Sequence, residues 1–464
     1  MKTTFWVLLF FFCVAHTASA ASSKTSKADI IRYVVTSPVI EPDVDCRNTG
    51  AKDAVELFSW QMFSRLNSPI YYNESSYGGK IDPPQAFWGE LPSWEMKAPN
   101  VAPYWSLWFN QSDIQHIAPP FIRLDKHWQS DNAHLIQFPP VDEEPKDKFH
   151  GQVPLVDNFG NTVRYEILLN RPWFYSSALF LEGSTIESDT GNFFNLGKCG
   201  TYASTSIETG SLINLPTIMV KLAWRKLTKE EDQSRYITMA DGKEVWGLAA
   251  WHMAAKTTKA WPWIWSTYEH RNNFEGYTYN GEKVRASFLE TDEQCQSSPC
   301  GTPLEPNTDQ SGNVKRFNSI VKSAFLKDGS PLTHYKMLGV QHASFDTIPE
   351  DQIPTYKEDL AACETMLSKE GPHPPFYISD SHRYIYSYNV AKTQCNIAQE
   401  ITTPTLFNPL FEPFPAVPPK KNFSCISCHV DANIINKPGM INTFSDFSFT
   451  PTHYGVPSQK RKEK

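Results

Sequence analysis

The feature that most constrains this chain is a Cys-x-x-Cys-His run near its C-terminal end, Cys425-Ile426-Ser427-Cys428-His429. On a helical turn, the i, i+3, i+4 spacing puts both thiols and the imidazole on one face. Two thiols arranged in this way can add across the vinyl groups of a haem as thioethers, and the imidazole can bind the iron as proximal ligand. The run therefore predicts one covalently bound haem c, held by Cys425, Cys428 and His429.

Three other interpretations of the same cysteines exist: a structural disulfide between Cys425 and Cys428, a thioredoxin-like redox pair, or half of a zinc site. A redox pair usually lies where a strand meets a helix in a βαβ unit. A zinc site needs a further Cys or His at matching spacing, and the downstream segment offers only His453. The haem interpretation is favoured over all three.

The N-terminal residues are typical of a secretory signal peptide. Met1-Lys2 is followed by the apolar run Phe5–Phe12 and by the small residues Ala18-Ser19-Ala20. This run is too short for a membrane span, and no later stretch approaches the roughly 20 apolar residues that a span needs. We expect a periplasmic or secreted protein without a membrane span, mature from about Ala21. Export agrees with the haem prediction, because c-type haem is attached on the far side of a bacterial membrane.

Composition and net charge limit the kinds of partner that this chain is expected to bind. The chain is 40% hydrophobic and 13% aromatic, which is enough for a large core. Its net charge of −7 argues against nucleic acid as a partner. Outside the leader and the Cys-x-x-Cys-His run, the cysteines are even in number, so disulfides are predicted in an oxidising compartment. A bridge from Cys295 to Cys300 is one short-loop possibility, and the other pairings stay open. These cysteines are Cys46, Cys199, Cys295, Cys300, Cys363 and Cys395.

Hydrophobic periodicity predicts one helix and several strands. Asp53 can cap a helix whose apolar residues recur at helical spacing up to Leu66. The middle of the chain alternates apolar and polar residues, as half-buried strands do. Strands are predicted at Val153–Val156 and Val163–Leu169 around the turn Asp157–Asn161, at Ile218–Trp224, at Arg235–Ala240 with Val245–Lys256, and at Trp263–Tyr268. No regular element is predicted over Asp82–Pro140, where Pro and Trp are frequent.

These elements predict an α+β, β-rich fold with an antiparallel sheet core, helices, long Pro- and Trp-rich loops and a C-terminal haem c segment. The expected organisation is a signal peptide at 1–20, a loose N-terminal arm at 21–48, a β-rich globular body at 49–402, a Pro-rich extended strut at 403–420, the haem c attachment segment at 421–455 and a basic tail at 456–464.

The second iron ligand is less constrained by the sequence. Only about 35 residues follow His429, too few to wrap a haem alone, so the body must cover its other face. His252 and His270 lie on or beside predicted strands and are the imidazole candidates. Met440 is a weaker candidate, because it could reach the opposite haem face only through a tight reversal. For either histidine a hydrogen-bonded structural role is the alternative, and an open iron is a third possibility.

Several short motifs, taken in order, resemble a family of large exported bacterial cytochrome c proteins that carry one C-terminal Cys-x-x-Cys-His. The resemblance implies one covalent haem c, places His252 and His270 on recurrent motifs of the family, and leaves the reaction undefined. His342, where a Trp is usual, and the Pro-rich insertion before Cys425 depart from the pattern. The motifs are Phe58–Asn67, Tyr165–Asn170, Lys221–Arg225, His252–Thr257, Trp263–His270, Cys425–His429 and Asp446–Phe449.

The predicted function is electron transfer in the periplasm by an exported monohaem cytochrome. Its partner is expected to be a redox protein or a small-molecule electron donor or acceptor, and not nucleic acid. One alternative is a haem-dependent redox enzyme, peroxidase- or oxidase-like, because the body is far larger than a simple electron shuttle needs. The other is a binding or structural protein whose haem serves as a folding staple.

Overall fold

The computed structural model describes a set of separate ranges along the chain. They are residues 26–35, 52–67, 69–71, 101–103, 105, 108–110, 155–170, 217–241, 243–256, 263–275, 277–279, 282–284, 288–290, 302–303, 311–326, 329–344, 360–365, 376–378, 384–389, 394–401, 406, 408–411, 425, 433–434 and 443–444.

The described ranges contain few helices and many strands. The helices are α1 (Lys27–Val35), α2 (Lys52–Leu66), α3 (Asn272–Glu275) and α4 (Gly312–Leu326), with the 3-10 helices η1 (Gln233–Arg235) and η2 (Pro331–His334). Residues 360–365 are also helical. The strands are β1 (Pro69–Tyr71), β2 (Val101–Pro103), β3 (Phe109–Asn110), β4 (Leu155–Asp157), β5 (Arg164–Leu169), β6 (Thr217–Lys226), β7 (Thr238–Asp241), β8 (Glu244–Lys256), β9 (Ile264–His270), β10 (Tyr277–Tyr279), β11 (Glu282–Val284), β12 (Phe288–Glu290), β13 (Thr302–Pro303), β14 (Tyr335–Gln341), β15 (Ala343–Ser344), β16 (Phe376–Ile378), β17 (Tyr384–Asn389), β18 (Gln394–Ile401), β19 (Asn433–Ile434) and β20 (Thr443–Phe444).

A seven-stranded sheet lies at the centre of the fold. Its strands follow the order β14-β9-β8-β6-β5-β3, and β7 pairs with the first residues of β8. Every pairing in it is antiparallel. The expected α+β, β-rich fold with an antiparallel sheet core is therefore confirmed.

The strand register divides the side chains of this sheet between two faces. Successive strand residues point to opposite faces. On β6, Val220, Leu222 and Trp224 belong to a large buried cluster on what we call the first face. Lys221 and Ala223 alternate with them and point to the other, second face.

Helices cover the first face. All described side chains of α2 from Leu57 to Leu66 are buried, polar ones included, because α2 lies between β14 on one side and α1 and α4 on the other. The ring of Phe63 stacks on that of Tyr268, with centroids 4.1 Å apart. The helix predicted from Asp53 to Leu66 is present, and its apolar periodicity reflects packing on this sheet.

The N-terminal region differs from the loose arm expected over residues 21–48. Within it, α1 packs against α2 and α4, and Ile30 and Val34 are fully buried. Ser26 caps α1, because its hydroxyl oxygen accepts a hydrogen bond from the Asp29 backbone amide at 3.1 Å. The apolar residues of this short helix therefore belong to the core.

Two other layers complete the described structure. The second face is covered in part by the sheet β13-β12-β4, whose Leu155 and Phe288 pack with Ala223 and Ala250. A separate four-stranded sheet follows the order β15-β18-β17-β16. The pairs β1-β2, β10-β11 and β19-β20 form two-stranded sheets.

The predicted strands are found as β6, β8 and β9, and the predicted second hairpin as β7 and β8. Three details differ from the expectation. Arg235 belongs to η1, because Asp232 accepts a hydrogen bond from the Ser234 amide and caps a 3-10 turn there. The predicted first hairpin has its turn, but β4 and β5 diverge into different sheets. The stretch 82–140 contains β2 and β3, which are too short to show a period of two.

The turn between β4 and β5 is built by one carboxylate. Asp157 Oδ1 accepts hydrogen bonds from the backbone amides of Phe159 at 2.9 Å and Asn161 at 2.8 Å. Gly160 takes a φ of 79°, which glycine adopts without strain. The turn that the sequence predicts at Asp157–Asn161 is therefore formed by hydrogen bonds to its first residue.

Several predictions fall on residues outside the described ranges: the signal peptide at 1–20, most of the attachment segment 421–455 and the basic tail at 456–464. In the part of the chain that the structure describes, no helix has the length and apolar character needed to cross a membrane.

Candidate functional site

The predicted site residues separate into three groups. Cys425 is helical and half-buried. Cys428, His429 and Met440 lie outside the described ranges. His252 and His270 belong to adjacent strands and can be compared directly.

His252 and His270 lie on opposite faces of the central sheet. His252 pairs with Thr267 and so shares the second face with it. His270 comes three residues after Thr267 on the same strand, and therefore points to the first face. The two histidines cannot serve one haem together.

His270 is a buried structural histidine. Its Nε2 is 3.0 Å from the Arg235 carbonyl oxygen, and its Nδ1 accepts a hydrogen bond from the Asn272 backbone amide at 3.1 Å. The ring stacks on Tyr236, with centroids 3.8 Å apart. Because Nδ1 accepts, Nε2 carries the proton and donates to the carbonyl. Both ring nitrogens of His270 thus make hydrogen bonds within the protein. This is the structural role that the sequence offered as the alternative to iron binding.

Burial also controls the charge of this histidine. Loss of solvent lowers the pKa of His270 well below its usual range, and the nearby His334 and the guanidinium of Arg225 act in the same direction. His334 lies 6.0 Å away between ring centroids, and its Nδ1 accepts a hydrogen bond from Arg235 Nε at 3.4 Å. Partial burial, followed by the charge of Arg235, lowers the pKa of His334 to about 4. Both imidazoles are neutral at pH 7.

His252 has a different environment. It is half-buried on the second face. The strand register places it in a row that runs across the sheet, perpendicular to the strands. We call this the second-face row; its members are Ile167, Lys221, His252, Thr267 and Gly339.

Five residues that follow β18 in the sequence lie along this row. We call Leu406 together with Asn408–Phe411 the covering segment. Leu406 lies over Gly339, so close that a Cβ on this glycine would be 2.5 Å from Leu406 Cδ1. Asn408 Nδ2 donates hydrogen bonds to Thr267 Oγ1 at 2.8 Å and to the Tyr268 carbonyl oxygen at 3.0 Å. The segment thus begins above β14 and is fixed at β9.

The covering segment then turns and reaches the other side of the row. The Phe411 amide donates to the Asn408 carbonyl oxygen at 2.9 Å, and the Leu410 amide donates to Asn408 Oδ1 at 3.1 Å. Pro409, with its fixed φ, suits the second position of such a turn. These residues form a buried turn, in contrast to the extended strut expected over 403–420.

Phe411 ends the covering segment above β5, β6 and β8. Its ring meets that of His252 at a tilt of 62°, with centroids 4.2 Å apart. Lys221 Nζ lies 5.1 Å from the Phe411 ring centroid and 5.5 Å from that of Tyr165. The Tyr165 hydroxyl donates to the Leu410 carbonyl oxygen at 2.6 Å. An imidazole, an ammonium group and two aromatic rings therefore meet at one end of the row.

A buried ion pair lies beside the second-face row. Glu269 is fully buried on β9, and Lys336 Nζ lies 2.9 Å from its Oε1 across the β9-β14 pairing. A buried carboxylate without a nearby cation would lower the stability of the fold. The ammonium group of Lys336 makes the pair neutral overall. At the Phe411 end of the row, the ammonium group of Lys221 lies over the Phe411 ring.

Sequence reasoning did not single out Asn408, Phe411 or Lys221 as site residues. Alternation along β6 did predict that Lys221 faces away from the apolar core. The contacts of Asn408 and Phe411 join residues more than a hundred positions apart, and no local pattern reports them. The dipeptide Asn408-Pro409 was the one available signal for a turn.

Comparisons with other proteins give no information about the role of these residues. No family model matches the chain, and neither a curated protein nor a solved structure matches it. The resemblance to exported cytochrome c proteins stays a prediction. Within the described ranges, no three or more His, Cys, Asp or Glu side chains are grouped so as to hold a metal ion.

Proposed function

We propose that this chain is an exported c-type cytochrome that carries one covalently bound haem and transfers electrons outside the cytoplasm. The observation that carries the proposal is the run Cys425 to His429, since two thiols and an imidazole at this spacing are the donor set of a haem c. The helical, half-buried position of Cys425 fits that use.

Each residue of the run has a distinct task. Cys425 and Cys428 would hold the porphyrin by thioether bonds, and His429 would bind the iron through a ring nitrogen. When bound, haem c supplies one-electron exchange between its ferric and ferrous forms. The protein sets the potential of that exchange through the second ligand, nearby charge and exclusion of water.

The predicted export agrees with this proposal. Residues 1–20 have the pattern of a leader, and Cys363, buried in the helical residues 360–365, is disulfide-bonded. Disulfides persist in oxidising compartments such as the periplasm. The net charge of −7 favours a redox protein or a small-molecule donor or acceptor over nucleic acid as the partner.

Haem staining after denaturing electrophoresis tests the proposal. The full chain, with its leader, is expressed in a bacterial strain that can attach c-type haem. We expect a stained band for the unaltered chain and none for Cys425→Ala/Cys428→Ala, because the thioethers are the link that survives denaturation.

Cys199→Ala is the matched control, since it removes a cysteine outside the run; its band should still stain. An unstained band for the unaltered chain, in a strain that loads a known c-type cytochrome, contradicts the proposal. A band that still stains in the double variant contradicts the residue assignment.

A further inference from the structure

We propose that the corner between η1 and η2 is a binding site for a doubly charged oxyanion, a phosphate or sulfate group. The imidazole of His334 lies at its centre, and the cations that surround it are Arg235, Arg271 and Lys322. This inference goes beyond the proposed function, because none of these residues takes part in the attachment of haem.

Three different elements bring the cations to this corner. Arg235 ends η1, and its Nε donates a hydrogen bond to His334 Nδ1 at 3.4 Å. Arg271 directly follows β9, and its backbone amide donates to the His334 carbonyl oxygen at 2.8 Å. Lys322 belongs to α4, which packs against η2. Residues that are distant in the sequence therefore place three positive charges near one imidazole.

The positive charge of this corner is not balanced by carboxylates. Burial lowers the pKa of His334 most, and the charge of Arg235 follows. Lys322 and Arg271 act in the same direction, whereas one carboxylate, that of Asp232, acts in the opposite direction. Three cations and one carboxylate leave two positive charges at the corner, in a chain whose net charge is −7. A dianion would compensate these two charges.

Several N–H donors at this corner can meet a ligand. In the part of the chain that the structure describes, the Lys322 ammonium group and the Nη atoms of Arg235 make no hydrogen bond or ion pair. Because Nδ1 of His334 accepts from Arg235, the proton of the neutral imidazole lies on Nε2, which becomes a further donor. Lys322 is exposed, and the other two side chains are half-buried, so a ligand can reach them from solvent.

A sulfate or phosphate group suits this set of donors. Its oxygens accept hydrogen bonds from guanidinium and ammonium groups, and such charge-assisted bonds are stronger than neutral ones. Arg235, Lys322 and His334 offer donors from three side chains, so several oxygens of one ligand can be bound together. A carboxylate has two oxygens and one negative charge, and it would leave one positive charge at the corner without compensation.

Equilibrium dialysis with radiolabelled sulfate tests the site. The purified full chain is dialysed at pH 7 in a chloride buffer of constant ionic strength. We expect saturable binding of one sulfate per chain, and displacement of the bound sulfate by inorganic phosphate, which offers the same kind of oxygens.

Lys322→Gln and Lys315→Gln form a matched pair, because both replace an exposed lysine of α4 by the same neutral side chain. Lys315 lies two helical turns, about 10 Å, from Lys322, and its charge is not among those that act on His334. Salt screens exposed charges over about 8 Å at physiological ionic strength. We expect Lys322→Gln to weaken sulfate binding about tenfold and Lys315→Gln to leave it unchanged.

Arg235→Gln should also weaken sulfate binding, because it removes a guanidinium group from the corner. This side chain is half-buried, so its variant could alter the fold. Lys322 is exposed and its side chain has no partner in the described ranges, so Lys322→Gln keeps the test independent of folding.

The same group occurs on free ions and on lipid headgroups. Vesicles of phosphatidylcholine and phosphatidic acid present it on a membrane surface. Displacement of labelled sulfate by inorganic phosphate but not by these vesicles assigns a soluble ligand, whereas displacement by both assigns a lipid headgroup. Displacement by neither contradicts the oxyanion site.

Two further results overturn the proposal. One is the absence of saturable binding at millimolar sulfate in the unaltered protein. The other is an equal loss of binding in Lys322→Gln and Lys315→Gln, which would show a general response to charge. Neither result concerns haem attachment, so the proposed function is tested separately.

Discussion

The side chain of Asn408 joins two parts of the chain 141 residues apart, by donating a hydrogen bond of 2.8 Å to Thr267 Oγ1. The same amide group donates to the Tyr268 carbonyl oxygen, and its own oxygen accepts from the Leu410 amide. Asn408 is fully buried, so each of these bonds replaces one that water would otherwise make. This residue therefore holds the covering segment on the central sheet.

Replacement of Asn408 by Ala should destabilise the protein. The change leaves the Leu410 amide and two oxygens on β9 without this partner in a buried place, and we expect a loss of about 2–3 kcal/mol in the free energy of unfolding. Denaturant unfolding at pH 7 measures it. Asn313→Ala is the control, because the amide of Asn313 is partly exposed and makes a long 3.4 Å bond to Glu56. Equal losses for the two variants would contradict the role given to Asn408.

The contact between Gly339 and Leu406 can be tested by a double-mutant cycle. Gly339→Ala places a methyl group 2.5 Å from Leu406 Cδ1, and overpacking of this kind costs about 1–3 kcal/mol. Combined with Leu406→Ala the added methyl group should cost much less, because the opposing atoms are gone. Gly312→Ala, where nothing lies within 4 Å, is the control and should be near neutral. Additive effects of Gly339→Ala and Leu406→Ala would show that the two residues do not touch.

The histidines near η1 and η2 predict lower stability in acid. The folded pKa of His334, about 4, lies below its usual value of 6.5, and the pKa of His270 is also lowered. The unfolded chain therefore binds more protons below pH 6.5, so this contribution to stability is present above that pH and is lost as the pH falls toward 4. His334→Gln should remove part of the loss, on the order of 1–2 kcal/mol between pH 7 and 5 for a half-exposed group.

Unfolding measured at pH 7, 6 and 5 checks this prediction. The charged groups that influence His334 are Arg235, Asp232, Lys322 and Arg271. His252→Gln is a matched control on the opposite face. Parallel pH profiles for His334→Gln and the unaltered protein would refute the burial of this imidazole in its neutral form.

The ion pair between Lys336 and Glu269 should depend strongly on both partners. Lys336→Met leaves a fully buried carboxylate without this cation and should cost about 3–5 kcal/mol, whereas Lys336→Met/Glu269→Gln should recover most of the loss. The pair of Lys226 and Glu244, whose side chains are 36% and 40% exposed, is the control, and Lys226→Met should cost less than about 1 kcal/mol. Denaturant unfolding measures all of these variants. A similar cost at both lysines would contradict the difference in burial.

The parts of the fold that follow local patterns could be predicted from the sequence. Alternation along 218–224 identified β6, and the spacing of Val55, Phe58 and Met62 identified α2, because each pattern reports one buried side of a regular element. The turn from Asp157 was readable because its carboxylate bonds to amides a few residues away.

The remaining structure depends on contacts that are distant in the sequence. The burial of α1 depends on α2 and α4, which nine residues of helix cannot report alone. The different environments of His252 and His270 depend on which face of the sheet each one occupies and on partners such as Arg235. Both histidines lie on motifs of the cytochrome c resemblance, so the sequence alone could not distinguish their environments. The strand register and the hydrogen bonds of His270 distinguish them.

The most direct test of the account is the intact mass of the exported protein after denaturation, combined with the optical spectrum of its reduced pyridine complex. The account predicts a chain that begins near Ala21, is heavier by the mass of one haem, and shows the spectrum of a haem whose two vinyl groups have become thioethers. A mature chain with no added haem mass, produced in cells that load another c-type cytochrome, would contradict the central claim.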